Sequence, residues 1–375
     1  MRKLRILILS WRGPKHPLSG GAEIATLEHA KKWVSQGNTV TLFTSYFKGA
    51  DTEEFFNGIK IIRRGDDAFG VKIAAFFWYL FNRDFKFDLV VDEFHGIPFF
   101  TPLYVRTKKL AFIHEVAKEV WWLNTWPKPF NYIPAIFGTL FEPLIFKFLY
   151  RNIRFMTVSE STKKDLVNWG ISSSKIKVVH NGVNTMSVKS RREKKKTLIY
   201  LGALARDKGI EDAIKVFGFV NRKDPECQFW VVGHGSKNYL NEMKILCRKL
   251  RIESKVRFLG FVDNKTKFKL LSRSHILLNP SVREGWGLVN IEANSVGTPV
   301  VGYDVSGVRD SVINDKTGLL CESGNYEELA VNVIKLFNDI NLYNKMSREA
   351  LLWSRKFTWE KSTNESLDLI KNLVL

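Results

Sequence analysis

The sequence predicts an α/β protein built from two Rossmann-like, doubly wound domains that face a cleft. Three observations carry this. Short β-branched or apolar runs alternate with helical patterns through the first half, which is the mark of a parallel sheet covered on both faces. A charged stretch without apolar periodicity, Lys189–Lys196, then interrupts the pattern and reads as a linker, after which the alternation resumes. The length, 375 residues, is too great for one ordinary core and suits two of roughly 180 residues each. The expected division is 1–187, 188–357 and 358–375.

In the first half the predicted strands are Arg5–Leu9, Thr39–Thr44, Leu89–Val91, Lys109–Ile113, Phe155–Val158 and Ile176–Val179. A helix over Ala22–Gln36 joins the first two and stops at Gly37-Asn38. In the second half they are Thr197–Leu201, Gln228–Val232, Val256–Phe258, His275–Asn279, Pro299–Gly302 and Gly318–Leu320, with helices over Ile210–Val220 and Tyr239–Leu250. No internal repeat is visible. Two aromatic-rich segments, Val71–Phe87 and Trp121–Tyr150, stand apart. The apolar window Phe130–Leu149 is about as long as a bilayer span, but Pro134, Glu142, Pro143 and Lys147 interrupt it. Its expected form is a buried helix. The competing form is an interfacial surface, with Trp121, Trp122 and Trp126 at headgroup depth and lysines and arginines nearby.

Composition narrows the partners. A formal charge of +20 favours an anionic one: phosphorylated small molecules, an anionic membrane surface or nucleic acid. No RNA- or DNA-binding signature is present, so nucleic acid is not expected. Cys227, Cys247 and Cys321 form no C-x-x-C pair, which argues against a disulfide framework or a cysteine zinc site. Leu4–Ser10 reads as a buried strand rather than a leader, and the expected location is the cytoplasm, peripheral on the inner face of the membrane if the interfacial reading holds.

Four segments place glycines where a strand runs into a helix. Gly20-Gly21 precede the first long helix, where free N–H groups and the dipole suit an anion such as a diphosphate, although an ordinary tight turn has the same sequence. YLGALARDKGIEDAI sets Arg206 and Lys208 beside a helix N-terminus, with a solvated basic face as the plain alternative. FWVVGHGSKNYL puts His234 between Gly233 and Gly235, which in isolation is a weak signal. The fourth, HILLNPSVREGWGLVNIEANSVGTPVV, is the most informative. Glu284 and the Gly285-Trp286-Gly287 turn sit at a loop tip, and Glu292 follows within two helical turns. Two carboxylates facing one site would accept sugar hydroxyls while the turn amides met phosphate or sugar oxygens. Acidic residues also favour a helix N-terminus for its dipole alone, but that does not explain the glycines.

With these residues in view, the chain resembles the retaining glycosyltransferases of family 4, of the GT-B fold. Glu284 to Glu292 matches their E-x7-E pattern, and the surrounding motifs keep the family order over nearly the whole chain: Gly20-Gly21, Ser159, Asn181-Gly182-Val183, Lys208-Gly209, Gly233–Gly235, Gly260-Phe261-Val262 and Thr298–Val301. The resemblance implies an acceptor-side first domain, a nucleotide-sugar-binding second domain and a C-terminal helix over 358–375 that packs back on the first. It implies that Glu284 contacts the donor sugar, Glu292 the ribose and Lys208 the diphosphate. Phe261 and Val262 would lie against the base, Gly285–Gly287 would bond the sugar or phosphate, and His114 would reach the donor sugar from the first domain. Family members commonly carry arginine where this chain has Ala203; Arg206 is the candidate replacement.

The implied reaction is transfer of a hexose-type sugar from a nucleotide-diphosphate donor to a hydroxyl acceptor with retention, no metal and no cofactor. The absence of an Asp-x-Asp or His-rich cluster agrees with this. A lipid-linked or membrane-proximal glycan acceptor fits the basic, aromatic first half. Two rivals are a sugar-nucleotide epimerase of the same architecture and a non-catalytic basic module that binds membrane or polyanion.

Overall fold

The structure is a computed structural model that describes residues 2–82, 86–94, 96–124, 126–184 and 191–374. The expected domain boundary at 187/188 and the start of the Lys189–Lys196 linker lie outside the described residues. The chain forms two compact units, one comprising Met1–Trp121, Trp126–Gly182 and Trp359–Leu375, the other Trp122–Thr125 and Val183–Thr358.

The first unit is built on an eight-stranded sheet in the order β3-β4-β2-β1-β5-β6-β7-β8. Its strands are β1 Arg5–Leu9, β2 Thr39–Thr44, β3 Glu53–Phe56, β4 Ile59–Arg63, β5 Leu89–Phe94, β6 Lys108–Ile113, β7 Arg154–Thr157 and β8 Ile176–Val178. All pair in parallel except β3, which returns on β4 as an antiparallel hairpin. That hairpin escaped the sequence reading. Its turn is Asn57-Gly58, with positive φ at both residues, the two-residue loop whose twist suits adjoining antiparallel strands. The helices are α1 Gly21–Ser35, α2 Asp67–Phe81, α3 Tyr132–Leu144 and α4 Glu160–Asn168.

Side-chain alternation along β5 divides the helices between the two sheet faces. Val90 packs with Leu7, Leu9, Val71 and Ala75, under α2. Phe94, on the same face, packs with Ala111, Ile113, Phe146 and Tyr150, beneath the segment that follows α3. Between them Asp92 is buried and accepts hydrogen bonds from Phe99 N (2.9 Å), Thr101 Oγ1 (2.7 Å) and Tyr150 Oη (2.5 Å). Burial raises its pKa despite these donors.

The window Phe130–Leu149 differs from its expected form. It is helical, as α3 continued by a π-turned segment Ile145–Tyr150, but most of it is not buried. Ala135, Glu142, Phe146 and Tyr150 point inward, while Ile133, Phe137, Leu140 and Phe148 lie exposed. Pro143 lacks the N–H an α-helix would use there, and the wider turn follows it.

On the opposite sheet face the last helix of the chain returns to this unit, as expected. Trp33 Nε1 of α1 donates to Ser366 Oγ (3.1 Å). His29 lies between Phe112 and Trp359, with ring centroids at 5.7 and 6.3 Å, and neither ring nitrogen has a hydrogen-bond partner among the described residues. Burial drives its pKa from 6.5 down to about 3. The folded state therefore keeps His29 neutral while the unfolded chain takes up a proton below pH 6.5, so stability falls as pH drops towards 3. Between pH 7.5 and 5 this group alone is expected to cost about 2 kcal/mol. Chemical denaturation at both pH values should show His29→Leu losing less stability than the wild type by that amount; parallel losses would contradict the assignment.

The second unit is built on a six-stranded parallel sheet in the order β11-β10-β9-β12-β13-β14. The strands are β9 Thr197–Leu201, β10 Gln228–Val232, β11 Val256–Gly260, β12 Ile276–Asn279, β13 Val300–Tyr303 and β14 Gly318–Cys321. Its helices are α5 Ile210–Lys223, α6 Lys237–Lys249, α7 Asn264–Arg273, α8 Leu288–Asn294, α9 Val308–Ser311, α10 Tyr326–Asn338 and α11 Ile340–Ser354, while the returning helix of the first unit is α12, Trp359–Val374. One continuous core fills it, from Leu198, Phe217, Phe229 and Ile276 to Val301 and Val333. The strand order reverses next to β9. In open α/β sheets ligands gather outside the carboxyl ends of the strands at such a point, and the loops after β9 and β12 carry the predicted donor residues.

Candidate functional site

The loop after β9 turns through Gly202–Ala205 and a single 3-10 turn, Arg206–Lys208, before α5. Gly209, at φ +69, caps α5, and a Cβ there would stand 1.9 Å from the Pro280 carbonyl oxygen. Only glycine fits. This locks the α5 start against the loop after β12 and sets Lys208 beside Glu284. Lys208 Nζ lies 3.2 Å from Glu284 Oε2 and donates to the Arg283 carbonyl at 3.4 Å. Arg206 is exposed at the opening of the same turn, as is Ala203.

Glu284 is held by a chain of buried polar groups. Its Oε1 accepts from Ser281 Oγ (2.9 Å); Ser281 Oγ lies 2.7 Å from Asn279 Oδ1. Asn279 donates to Asn290 Oδ1 (2.8 Å), and Asn290 to Ser311 Oγ (2.9 Å). The backbone N–H of Glu284 donates to the Ser306 carbonyl at 3.0 Å. A satisfied buried network of this kind fixes one geometry. The sequence reading missed all four supporting side chains.

Glu292, on α8, is buried and paired with Lys267 of α7, with Nζ to Oε1 at 2.5 Å. Burial raises its pKa and Lys267 opposes the rise. Each predicted carboxylate therefore has its own cation, and Lys267 is a further residue the sequence reading overlooked. In the intervening turn Gly285 is half-buried, Gly287 caps α8, and the Trp286 side chain is turned into the core, 4.9 Å from the ring of Phe357. Only the backbone of Trp286 is left to serve the turn.

The glycines after β10 keep the chain close to this loop: Gly233 N donates to the Gly260 carbonyl at 2.9 Å, and a Cβ on Gly233 would fall 1.8 Å from the Gly202 oxygen. His234 meets Phe261 edge-on at 6.1 Å, and Phe261 is 78% exposed beside half-buried Val262. An exposed aromatic ring beside glycine turns is a surface on which a flat heterocycle can stack.

In the first unit Gly20 behaves differently from its expectation as an anion seat. Its N–H already donates to Glu23 Oε2 at 2.6 Å, the one half of a capping box that glycine can make, and Glu23 Oε1 lies 2.8 Å from Arg12 Nε. An anion there must displace a buried carboxylate, so of the pair only Gly21 keeps the expected role open. His114 stands just after β6, 5% exposed, with Nε2 3.0 Å from Glu93 Oε1 of β5. That carboxylate, itself buried, stands against the ring and was not expected from the sequence.

The geometry defines a class: two doubly wound units, with a cation–carboxylate pair on glycine-hinged loops at the switch point of the second. The profile described as Glycosyltransferase Family 4 matches residues 19–186, and that described as Glycosyl transferases group 1 matches 184–353. The chain belongs to glycosyltransferase family 4, with the GT-B fold. It is 26% identical over 243 residues to an uncharacterized glycosyltransferase of Methanocaldococcus jannaschii, covering 59% of this chain and 60% of that one. It therefore spans less than two thirds of the curated relative's length. Among solved structures, sucrose-phosphate synthase from Thermosynechococcus elongatus superposes with a TM-score of 0.83 at 18% identity, covering 99% of each chain. Anabaena HepE, solved with UDP and glucose, gives 0.76 at 18% identity, covering 99% of this chain and 100% of that one.

Proposed function

We propose that the protein transfers a hexose from a nucleoside-diphosphate sugar to a hydroxyl acceptor, with retention of anomeric configuration and without a metal ion. The observation that carries this is the Lys208–Glu284 pair, held at 3.2 Å on a loop that only glycine at 209 permits. HepE's complex with UDP and glucose supports a donor of this class.

In this reading Lys208, with Arg206 in the role Ala203 cannot fill, neutralises the departing diphosphate. Glu284 accepts hydroxyls of the transferred sugar, Glu292 those of the ribose, and Phe261 with Val262 meets the base. The bond from C1 to the diphosphate oxygen breaks, the bond from C1 to the acceptor oxygen forms on the same face, and the hydroxyl proton passes to the leaving diphosphate. Proton NMR of the product, made with EDTA present, tests this: an unchanged anomeric configuration supports it, and inversion or dependence on metal overturns it. Glu292→Ala strands Lys267 and is expected to weaken nucleotide binding about 10- to 100-fold, read by calorimetry. Unchanged affinity would remove Glu292 from the ribose site.

The acceptor in this reading is a glycan carried on lipid or held near a membrane, reached from the cytoplasmic side. The basic charge of +20 and the exposed aromatic face of α3 support it.

A further inference from the structure

A helix on the surface of a soluble domain ordinarily turns charged and polar side chains to solvent. α2 and α3 do not. On α2, Val71 and Ala75 point into the core, yet the opposite side carries Ile73, Phe77 and Phe81, all exposed. On α3, Ala135 and Glu142 point inward, and the opposite side carries Ile133, Phe137, Leu140 and Phe141, continued by Phe148 in the π-turned segment. α2 and the π-turned continuation of α3 cover the same sheet face, because Val90 packs under α2 while Phe94 and Asp92 of the same strand meet Phe146 and Tyr150. Their outer sides therefore look out from one side of the domain. Isolated exposed apolar residues need no explanation, but a run of aromatic and aliphatic side chains along the outer side of both helices does.

We propose that this face of α2 and α3 is the surface by which the protein docks on a bilayer containing anionic lipid. Charge selects that occupant. From Trp126 to Arg154 the ionic side chains are Lys128, Lys147, Arg151, Arg154 and the single acid Glu142. Glu142 is buried, where it accepts from Ala117 N (2.7 Å), Lys118 N (3.1 Å) and Trp121 Nε1 (2.9 Å). α3 itself carries no exposed charge, and the exposed charges that flank it in this stretch are all positive, as an anionic headgroup layer requires. A second copy is the poorer occupant. A two-fold contact through α3 would set this basic rim against itself.

The same contacts decide between lying on the bilayer and crossing it. The Glu142 bonds tie the middle of α3 to the domain, and Tyr150 Oη to Asp92 ties its end. Withdrawing the helix into lipid would break both, carrying the Glu142 carboxylate into hydrocarbon without its three donors and taking the Tyr150 hydroxyl from buried Asp92, which opposes crossing. α3, about 20 Å long, therefore lies along the interface with its outer side immersed. Trp126, 57% exposed just before it, is placed at headgroup depth.

This deepens the membrane-proximal part of the proposed function and rests on that reading only for its use, since docking is measured with no donor or acceptor present. The full chain is floated with phosphatidylcholine vesicles, with and without phosphatidylglycerol, at low and high salt. Wild type is expected to float with the anionic vesicles, less at high salt. F137S/L140S and F77S/F81S should each lower partitioning at least about tenfold, and K128E/K147E should remove the preference for anionic lipid. Unfolding midpoints identify any variant that merely misfolds. For wild type itself, brominated lipid should quench fluorescence that W126F lacks, which needs no folded serine variant. Absence of flotation, or serine variants that float like wild type, would overturn the proposal. So would light scattering that shows a wild-type dimer dissolved by F137S/L140S while vesicles go unbound. A chain that transfers sugar without floating overturns the docking surface alone, and one that floats without transferring overturns the proposed function alone.

Discussion

Replacing Glu284 with glutamine is expected to lower kcat/KM for sugar transfer about 10²- to 10³-fold, in line with the loss of one oriented group in a preorganised site. The substitution keeps an oxygen to accept from Ser281 Oγ and keeps the shape of the loop. It removes the charge that faces Lys208 and that accepts sugar hydroxyls most strongly. Stability should change little, because the Lys208–Glu284 pair is partly open to solvent and pairs of that kind contribute little to folding. The expected pattern is thus a large kinetic loss with an almost unchanged unfolding midpoint. A variant that retains full turnover would remove Glu284 from the site. One that unfolds would recast the Asn279–Ser281–Asn290–Ser311 chain as a purely structural network.

Lys208→Ala is expected to act on binding rather than on the chemical step alone. The ammonium lies 3.2 Å from Glu284, and deleting it leaves a carboxylate facing the position the donor diphosphate would take. Attraction is replaced by repulsion, so donor affinity should fall about 100-fold or more, close to 3 kcal/mol. Because the two side chains share one interaction, the double variant K208A/E284Q should lose less than the sum of the single losses. Full additivity would mean that the pair seen at 3.2 Å does not act as a unit.

Much of the fold was legible in the sequence because periodicity is a local property. β1, β2, β9 and β10 fall on the predicted residues, each a β-branched or aromatic run closed by a turn. The β3–β4 hairpin was missed for a local reason too: Asn57-Gly58 carries the turn signal, but its flanking runs are short and polar enough to pass as loop. The sequence leaves α3 between a buried and an interfacial form for another reason. An apolar run reports that a helix avoids water without reporting whether protein or some other phase covers it. Only the inward placement of Ala135, Glu142 and Phe146 settles which side the core took.

The donor loops show the same division. Glu284, Lys208 and the glycine turns stood out because strand, glycine and charge occur together within a few residues. Their supports did not. Asn279, Asn290 and Ser311 lie on three elements and meet only after β12, α8 and α9 have packed, and Lys267 reaches Glu292 from 25 residues away. Glu93 pairs with His114 because β5 and β6 lie side by side, a neighbourhood that the intervening chain conceals. Gly20 carried a motif whose amide the nearby Glu23 already satisfies.

The central claim is that a nucleoside-diphosphate sugar binds at Lys208 and Glu284 and gives up its sugar there. The most direct test is to incubate wild type, Glu284→Gln and Lys208→Ala with a panel of nucleotide sugars and candidate hydroxyl acceptors, following thermal shift and release of free nucleotide diphosphate. The account predicts that at least one donor stabilises the wild type and releases nucleotide only when an acceptor is present. It also predicts that Lys208→Ala loses the stabilisation and that Glu284→Gln keeps most of it but loses the release. A wild-type protein that no donor stabilises, or variants that behave like it, would contradict the account.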